Sequence, residues 1–325
     1  MAEQAAGWKI SVVVPVYNGG AAVGATIEHL LDQTLRPDEI IVVDDGSSDD
    51  TAEVLRRFGE RITLISKPNG GPASARNVGV RAASGTLVAF TDSDCFPDKD
   101  WLRELVKGFY APEIVGAGGT VRGAYPGLVG EFIDMNRGLD PGFERGGVVT
   151  RLVTANACFR RDALLEANVF DERFRRPGGE DTELSVRLRN RGYALAYVSG
   201  AVVRHRHKRT IREYLVTAAN YGEGQYILER LWPQCSCDVN HRRQLVRGAI
   251  AARSMVKFCL RYRKRYDWRR AALFSFLDHY WHVAYSWGFL RGRRNRELLC
   301  SLDAVSENSD LAGPYPQISP VLKDQ

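Results

Sequence analysis

The chain has 325 residues, 44% hydrophobic and 26% charged, with a formal net charge of +6. Those shares are ordinary for a soluble globular protein, and the mild basicity names no partner. Its length exceeds the roughly 250–300 residues at which single cores stop growing, so one large α/β domain with an addition is expected. Cys95, Cys158, Cys235, Cys237, Cys259 and Cys300 have neither disulfide nor zinc spacing, which excludes a stapled scaffold and fits a reduced, cytoplasmic compartment. Met1 to Trp8 lacks the basic and apolar segments of a secretory signal.

In chain order, Ile10–Val16, Ile40–Val43, Ile62–Ser66 and Thr86–Thr91 read as buried strands, each followed by a segment of helical period. That alternation predicts a mostly parallel sheet flanked by helices. Asp50 and Glu53 have the capping-box form for a helix carrying Ala52, Val54 and Leu55. From Gly116 the pattern falters, with glycines at 116, 118, 119, 123, 127 and 130 and a loop-like stretch from Gly138 to Gly147. Such segments border sites rather than build cores. A strand over Leu152–Phe159 and a helix from Glu180 to Arg191 follow. From Ile211 the pattern is helical almost to Leu299, and the tail from Ser306 reads as frayed. Ala271–Leu290 approaches the length of a bilayer span, but Asp278, His279 and His282 interrupt it.

Ligands of such sheets bind beyond the carboxyl ends of the strands, here after Val16, Val43 and Phe90. The first strand ends in Pro15, Tyr17 and Asn18, and the second in Asp44, Asp45 and a turn. Carboxylates there accept from N–H or hydroxyl groups, although Asp and Ser also serve plain turns. The run from Lys67 to Asn77 joins a glycine turn to a helix start, which favours anions, and Arg76 can neutralise a pyrophosphate. Phe90-Thr-Asp-Ser-Asp94 follows the fourth strand. Period-two alternation puts Asp92 and Asp94 on one side, where hard oxygens suit Mg²⁺ or Mn²⁺. Glu180 and Asp181 open a helix, where a dipole-driven cap is the plain alternative. Val203-Arg-His-Arg-His207 offers two imidazoles or a solvated strand face.

These motifs, in this order, resemble the family 2 inverting glycosyltransferases with the GT-A fold, over about residues 8–208. The resemblance implies a donor side of Pro15, Tyr17, Asn18, Asp44, Asp45, Arg76, Asn77, Asp92 and Ser93, with Asp44 or Asp45 holding uracil or ribose. It implies Mn²⁺ or Mg²⁺ on Asp94 and Asp92 with His205, or alternatively His207. It makes Asp181, beside Glu180, the general base for an acceptor hydroxyl. UDP is the favoured nucleotide, and configuration would invert. A Gln-x-x-Arg-Trp string of processive members is missing, which argues against a polymerising synthase.

The first strand-helix turn does not spell Gly-x-Gly-x-x-Gly, and no Gly-Lys pair precedes Ser or Thr, so a dehydrogenase and a phosphate-loop NTPase are set aside. A sugar-phosphate nucleotidyltransferase and a catalytically silent nucleotide-sugar-binding scaffold remain as alternatives. The expected division is a catalytic domain over 1–208, a basic, aromatic-rich helical appendage over 209–300 and a flexible tail over 301–325. Arginines and lysines from Arg242 to Arg294, interleaved with aromatics, suit either an anionic membrane surface or helices packed on the catalytic domain. The first reading places the chain on the inner face of the cell membrane with a glycan or lipid-linked acceptor, and nucleic acid is not required.

Overall fold

The computed structural model describes residues 7–136, 139–144, 147–233 and 258–306. The chain opens with β1 (Ile10–Val16), α1 (Gly20–Leu31), β2 (Glu39–Asp44), α2 (Thr51–Arg56), β3 (Thr63–Ser66), α3 (Pro72–Ala82) and β4 (Leu87–Phe90). β1 is buried along its whole length because helices cover both of its faces. Val12, Val14 and Val16 pack with Val23, Ile27 and Leu30 of α1. Their neighbours Val13, Ile41 and Val43 pack instead with Ala73, Ala75 and Val80 of α3. Side chains alternate across a strand, so a doubly covered strand reads as an unbroken apolar run.

Next come β5 (Cys95–Pro97), α4 (Trp101–Val106), β6 (Ile114–Gly123), α5 (Leu128–Asn136), β7 (Gly142–Phe143), β8 (Val149–Arg151), β9 (Ala157–Arg160), α6 (Arg161–Glu166), α7 (Glu180–Asn190) and β10 (Ala194–His205). The main sheet has the order β3-β2-β1-β4-β9-β6-β10-β5. β9 runs antiparallel to β4 and β6, and β5 antiparallel to β10, while the remaining pairings are parallel. Val16 lies opposite Asp44, and Val13 opposite Phe90, so the ends of β1, β2 and β4 gather at one edge.

Three local expectations are corrected. The glycine-rich stretch after Gly116 is not irregular, since residues 114–123 form β6, one of the longest strands. Its glycines permit close approach: a Cβ at Gly119 would lie 2.0 Å from the carbonyl oxygen of Ala201 on β10. Leu152–Phe159 is not one strand, because a 3₁₀ turn at Thr154–Asn156 separates β8 from β9. That turn holds Asn156, which accepts from Trp101 Nε1 at 2.8 Å and donates to the carbonyls of Thr120 and Ala201. Finally, Asp50 is the N-cap of α2 but makes no side-chain cap bond. Asp49 accepts from Thr51 N–H instead, and Glu53 pairs with Arg57.

The C-terminal helices are α8 (Ile211–Leu231), α9 (Trp268–Arg294) and α10 (Arg296–Ser306). A capping box of Thr210 and Glu213 opens α8. α8 and α9 touch backbone to backbone: a Cβ at Gly222 would lie 1.9 Å from the Tyr285 oxygen, and one at Gly288 1.8 Å from the Ala219 oxygen. Both helices share apolar clusters with the preceding chain. Phe132 of α5 packs with Tyr214, Tyr262 and Phe274, and Phe174 packs with Tyr226, Phe289, Leu298 and Leu302. Leu302 of α10 is therefore buried beyond residue 300, inside the stretch expected to be a tail. Among the described residues no helix is long and apolar enough to cross a membrane. Cys235, Cys237 and the basic residues Arg242, Arg243, Arg247, Arg253 and Lys257 lie outside the described residues.

Candidate active site

The strand ends carry the polar residues singled out by sequence. Pro15 is buried within β1, whereas Tyr17 and Asn18 are exposed just beyond it. Asn18, at φ 50°, accepts from Ser48 N–H at 2.8 Å, and its own N–H donates to Ser47 Oγ at 2.9 Å. It thereby ties the first strand-helix loop to the second. Asp44 Oδ1 accepts from Ser47 N–H at 2.9 Å, and Asp44 Oδ2 makes no hydrogen bond among the described residues. Asp45 is fully committed, taking Lys67 Nζ at 2.6 Å and the N–H groups of Gly70 and Gly71 at 3.0 and 2.8 Å. Those bonds form the glycine turn that launches α3. Gly71 sits at φ 92°, and a Cβ there would meet the Arg175 carbonyl oxygen at 2.4 Å, so no other residue fits.

Arg76, on the second turn of α3, joins two distant segments. Its Nη2 donates to Asp92 Oδ1 at 2.8 Å and its Nη1 to Glu180 Oε1 at 2.9 Å. Arg76 is 4% exposed. Burial disfavours its charge, but Asp92 and Glu180 outweigh that cost and raise its pKa. Burial and the neighbouring Asp181 push Glu180 up, against the pull of Arg76, and its second oxygen accepts from Gly178 N–H at 2.8 Å. Glu180 therefore holds Arg76 rather than facing open space. Replacing Arg76 by Ala would strand the buried Glu180 carboxylate, and a loss of about 3–5 kcal/mol of stability is expected. Denaturant unfolding of that variant measures it, and an unshifted midpoint would contradict it.

Asn77 has its side chain committed within the fold. Its amide exchanges two 2.8 Å hydrogen bonds with the Phe170 main chain and donates to Glu172, so it anchors the segment before α7. Asp92 and Asp94 also diverge. Cys95 N–H donates to Asp92 O at 3.0 Å, closing a turn in which period-two alternation no longer applies. Asp92 turns to Arg76, while Asp94 Oδ1 lies 3.4 Å from His205 Nε2 and its Oδ2 lies 3.8 Å from Lys208 Nζ. Ser93 packs near Gly19, and its carbonyl accepts from Thr26.

The ligand atoms of Asp94, Cys95 and His205 lie within 4.8 Å of one another. Burial, with Asp92 and Asp94 nearby, drives the Cys95 thiol well up, and as the soft donor of the three it suits Mn²⁺ or Mg²⁺ less than the carboxylate and the imidazole do. Burial holds His205 below the ordinary imidazole value despite Asp94, which favours the neutral ring that a metal requires. A carboxylate and a neutral imidazole fit Mn²⁺, which takes both oxygen and nitrogen donors. His207 instead contacts His205 and Asp134.

Asp181 opens α7. Its Oδ1 accepts from Thr182 N–H at 2.7 Å, and its other oxygen makes no hydrogen bond among the described residues. Tyr221 of α8 faces it: burial, with Asp181 and Glu180 close by, raises the phenol pKa. Tyr221 escapes sequence reading because nothing in the spacing of a long helix marks one tyrosine as facing a site 40 residues earlier.

Residues 11–166 match the family described as Glycosyl transferase family 2. Those residues form a domain of that family, and the sheet and helices take the GT-A fold. Over 235 residues it is 28% identical to the glycosyltransferase AglE of Haloferax volcanii, covering 68% of this chain and 75% of that protein. It is 32% identical over 227 residues to the pre-mycofactocin glycosyltransferase of Mycobacterium tuberculosis, but that stretch spans 46% of the relative's length. Among solved structures, the mannosyltransferase PcManGT of Pyrobaculum calidifontis, in complex with GDP-Man and Mn²⁺, superposes with a TM-score of 0.57 at 19% identity, over 95% of this chain and 82% of that one. Glucosyl-3-phosphoglycerate synthase of Mycobacterium tuberculosis, with Mn²⁺, UDP-glucose and phosphoglyceric acid, gives 0.50 at 23% identity, over 70% and 80%.

Proposed function

We propose that this chain is an inverting glycosyltransferase that moves a sugar from a nucleoside-diphosphate sugar, UDP-linked by preference, to an acceptor hydroxyl with Mn²⁺ or Mg²⁺. The carrying observation is Arg76, whose paired contacts draw the Asp92–Asp94 turn and the Glu180–Asp181 helix start into one site. Asp44 Oδ2 is left to accept from the imide N–H of uracil or from a ribose hydroxyl. Asp94 and His205 would hold the divalent cation, which supplies positive charge for the leaving diphosphate. The uncommitted oxygen of Asp181 takes the acceptor proton as the acceptor oxygen attacks the anomeric carbon from the face opposite the nucleotide. One displacement inverts the configuration. The Mn²⁺ and nucleotide sugars in the two superposable structures agree with this reading.

A panel of nucleotide sugars with added Mn²⁺, scored for transfer or donor hydrolysis, tests it. Turnover of one donor is expected. Binding without turnover of any donor would favour the scaffold, and formation of a nucleotide sugar from a nucleoside triphosphate and a sugar phosphate would favour the nucleotidyltransferase.

For the acceptor, the reading extends to a lipid-linked glycan at an anionic membrane surface. Tyr280, Val283, Trp287 and Leu290 recur on one outward face of α9 at helical spacing, with Trp287 58% exposed. Exposed Arg269, Arg293 and Arg294 lie at its two ends. Apolar residues with flanking cations suit anionic lipid, each cation contributing about 1 kcal/mol. The protein is expected to float with anionic liposomes at moderate salt, and a Trp287→Glu, Leu290→Glu variant to remain in the pellet fraction. Equal flotation of both would remove this face from the proposal.

A further inference from the structure

His207 and Asp134 have no part in the reaction as described, yet they are tightly placed behind His205. His205 Nδ1 and His207 Nδ1 lie 2.9 Å apart, and His207 Nε2 lies 2.7 Å from Asp134 Oδ1. His207 is 8% exposed. The Asp134 carboxylate is itself oriented by Gly123 N–H, at 2.9 and 3.1 Å from its two oxygens. A Cβ at position 123 would lie 2.5 Å from Asp134 Oδ2, so glycine there makes the approach available.

For neutral rings these distances allow one proton arrangement. A carboxylate oxygen at 2.7 Å requires an N–H, so His207 carries its proton on Nε2. Its Nδ1 is then a bare lone pair, and the 2.9 Å contact needs the proton of His205 Nδ1. His205 is left with a bare Nε2, directed at Asp94 Oδ1 3.4 Å away. Two acceptors facing each other call for a cation between them. Reversing the relay would set a lone pair against the Asp134 carboxylate.

We propose that Asp134 and His207 are positioning residues, a carboxylate-imidazole relay that fixes the tautomer and ring orientation of His205 so that its Nε2 lone pair is presented with Asp94 to a divalent cation. This rests on the reading of Asp94 and His205 as the metal pair. Partners of this kind hold a ligating imidazole in the orientation and protonation state the metal needs, and their loss weakens metal binding by about 10–100-fold. The relay also ties the site to the C-terminal helices, because Phe132, two residues from Asp134 on α5, packs against Phe274 and Tyr214.

The test is Mn²⁺ titration of the purified full chain by calorimetry or by the electron paramagnetic resonance signal of free Mn²⁺, for wild type, His205→Ala, His207→Phe and Asp134→Asn. Wild type is expected to bind, His205→Ala to lose binding, and the two relay variants to bind about 10–100-fold more weakly. Imidazole ¹⁵N shifts of the metal-free protein give a second readout that general loosening of the fold would not reproduce. They should show His205 protonated on Nδ1 in wild type and on a mixture of nitrogens in Asp134→Asn. Should His207→Phe fail to fold, the isosteric Asp134→Asn carries the same comparison. Equal Mn²⁺ affinity in wild type and Asp134→Asn, or a wild-type His205 protonated on Nε2, would overturn the relay while leaving the metal pair standing. Absence of Mn²⁺ binding by wild type would remove the metal pair and the relay together.

Discussion

Replacing Asp181 by Asn is expected to lower the transfer rate by about 10²–10⁴-fold, the usual worth of a positioned general base, while donor affinity stays unchanged. Asn keeps the size of the side chain and can still accept from Thr182 N–H, so the start of α7 should survive. What it loses is a carboxylate oxygen able to take the acceptor proton. The proposed donor contacts lie elsewhere, at the strand ends of β1 and β2, so nucleotide binding should not register the change. Single-turnover kinetics beside a direct donor titration separates the two quantities. Wild-type turnover in this variant would mean that another group deprotonates the acceptor.

Asp94→Asn is expected to remove about 3 kcal/mol or more of transition-state stabilisation, at least about 10²-fold in rate. Amide oxygen carries no net charge, so the His205 pair would lose its anionic member and hold a divalent cation poorly. A chelator should abolish wild-type activity, and added Mn²⁺ should restore it. The variant should need far more Mn²⁺ to recover any activity. Asp92→Asn is a useful contrast, since Asp92 faces Arg76 and not His205. Its damage should appear first in stability. Chelator-resistant activity in wild type would contradict the assignment of the metal pair.

How much of this was legible in sequence differs by element. β1 and β2 were, because strands covered on both faces must be continuously apolar and their ends must be polar. β6 was not, because its glycines resemble loop punctuation. Their reason lies in Ala201 and Phe159, which pack against them from neighbouring strands. The same contrast holds within the site. Arg76, Asp92, Asp94 and Glu180 were visible as motif residues, but the two ion pairs that join them span 16 and 104 positions of chain. The family resemblance makes Asn77 a donor contact. Only the fold shows its amide engaged with the Phe170 main chain. Between His205 and His207 the sequence offered no decision, since both belong to the same alternating string.

By itself, then, the amino-acid sequence determined the alternating α/β architecture, the polar strand ends and the order of the motifs, all of which are local consequences of side-chain period and turn chemistry. The tertiary structure decided which oxygen and nitrogen atoms face one another: Asp94 with His205, Arg76 with both Asp92 and Glu180, His207 with Asp134. Those pairings depend on how β10, α5 and α7 return to the sheet edge, and no local pattern encodes a distance between segments so far apart in the chain.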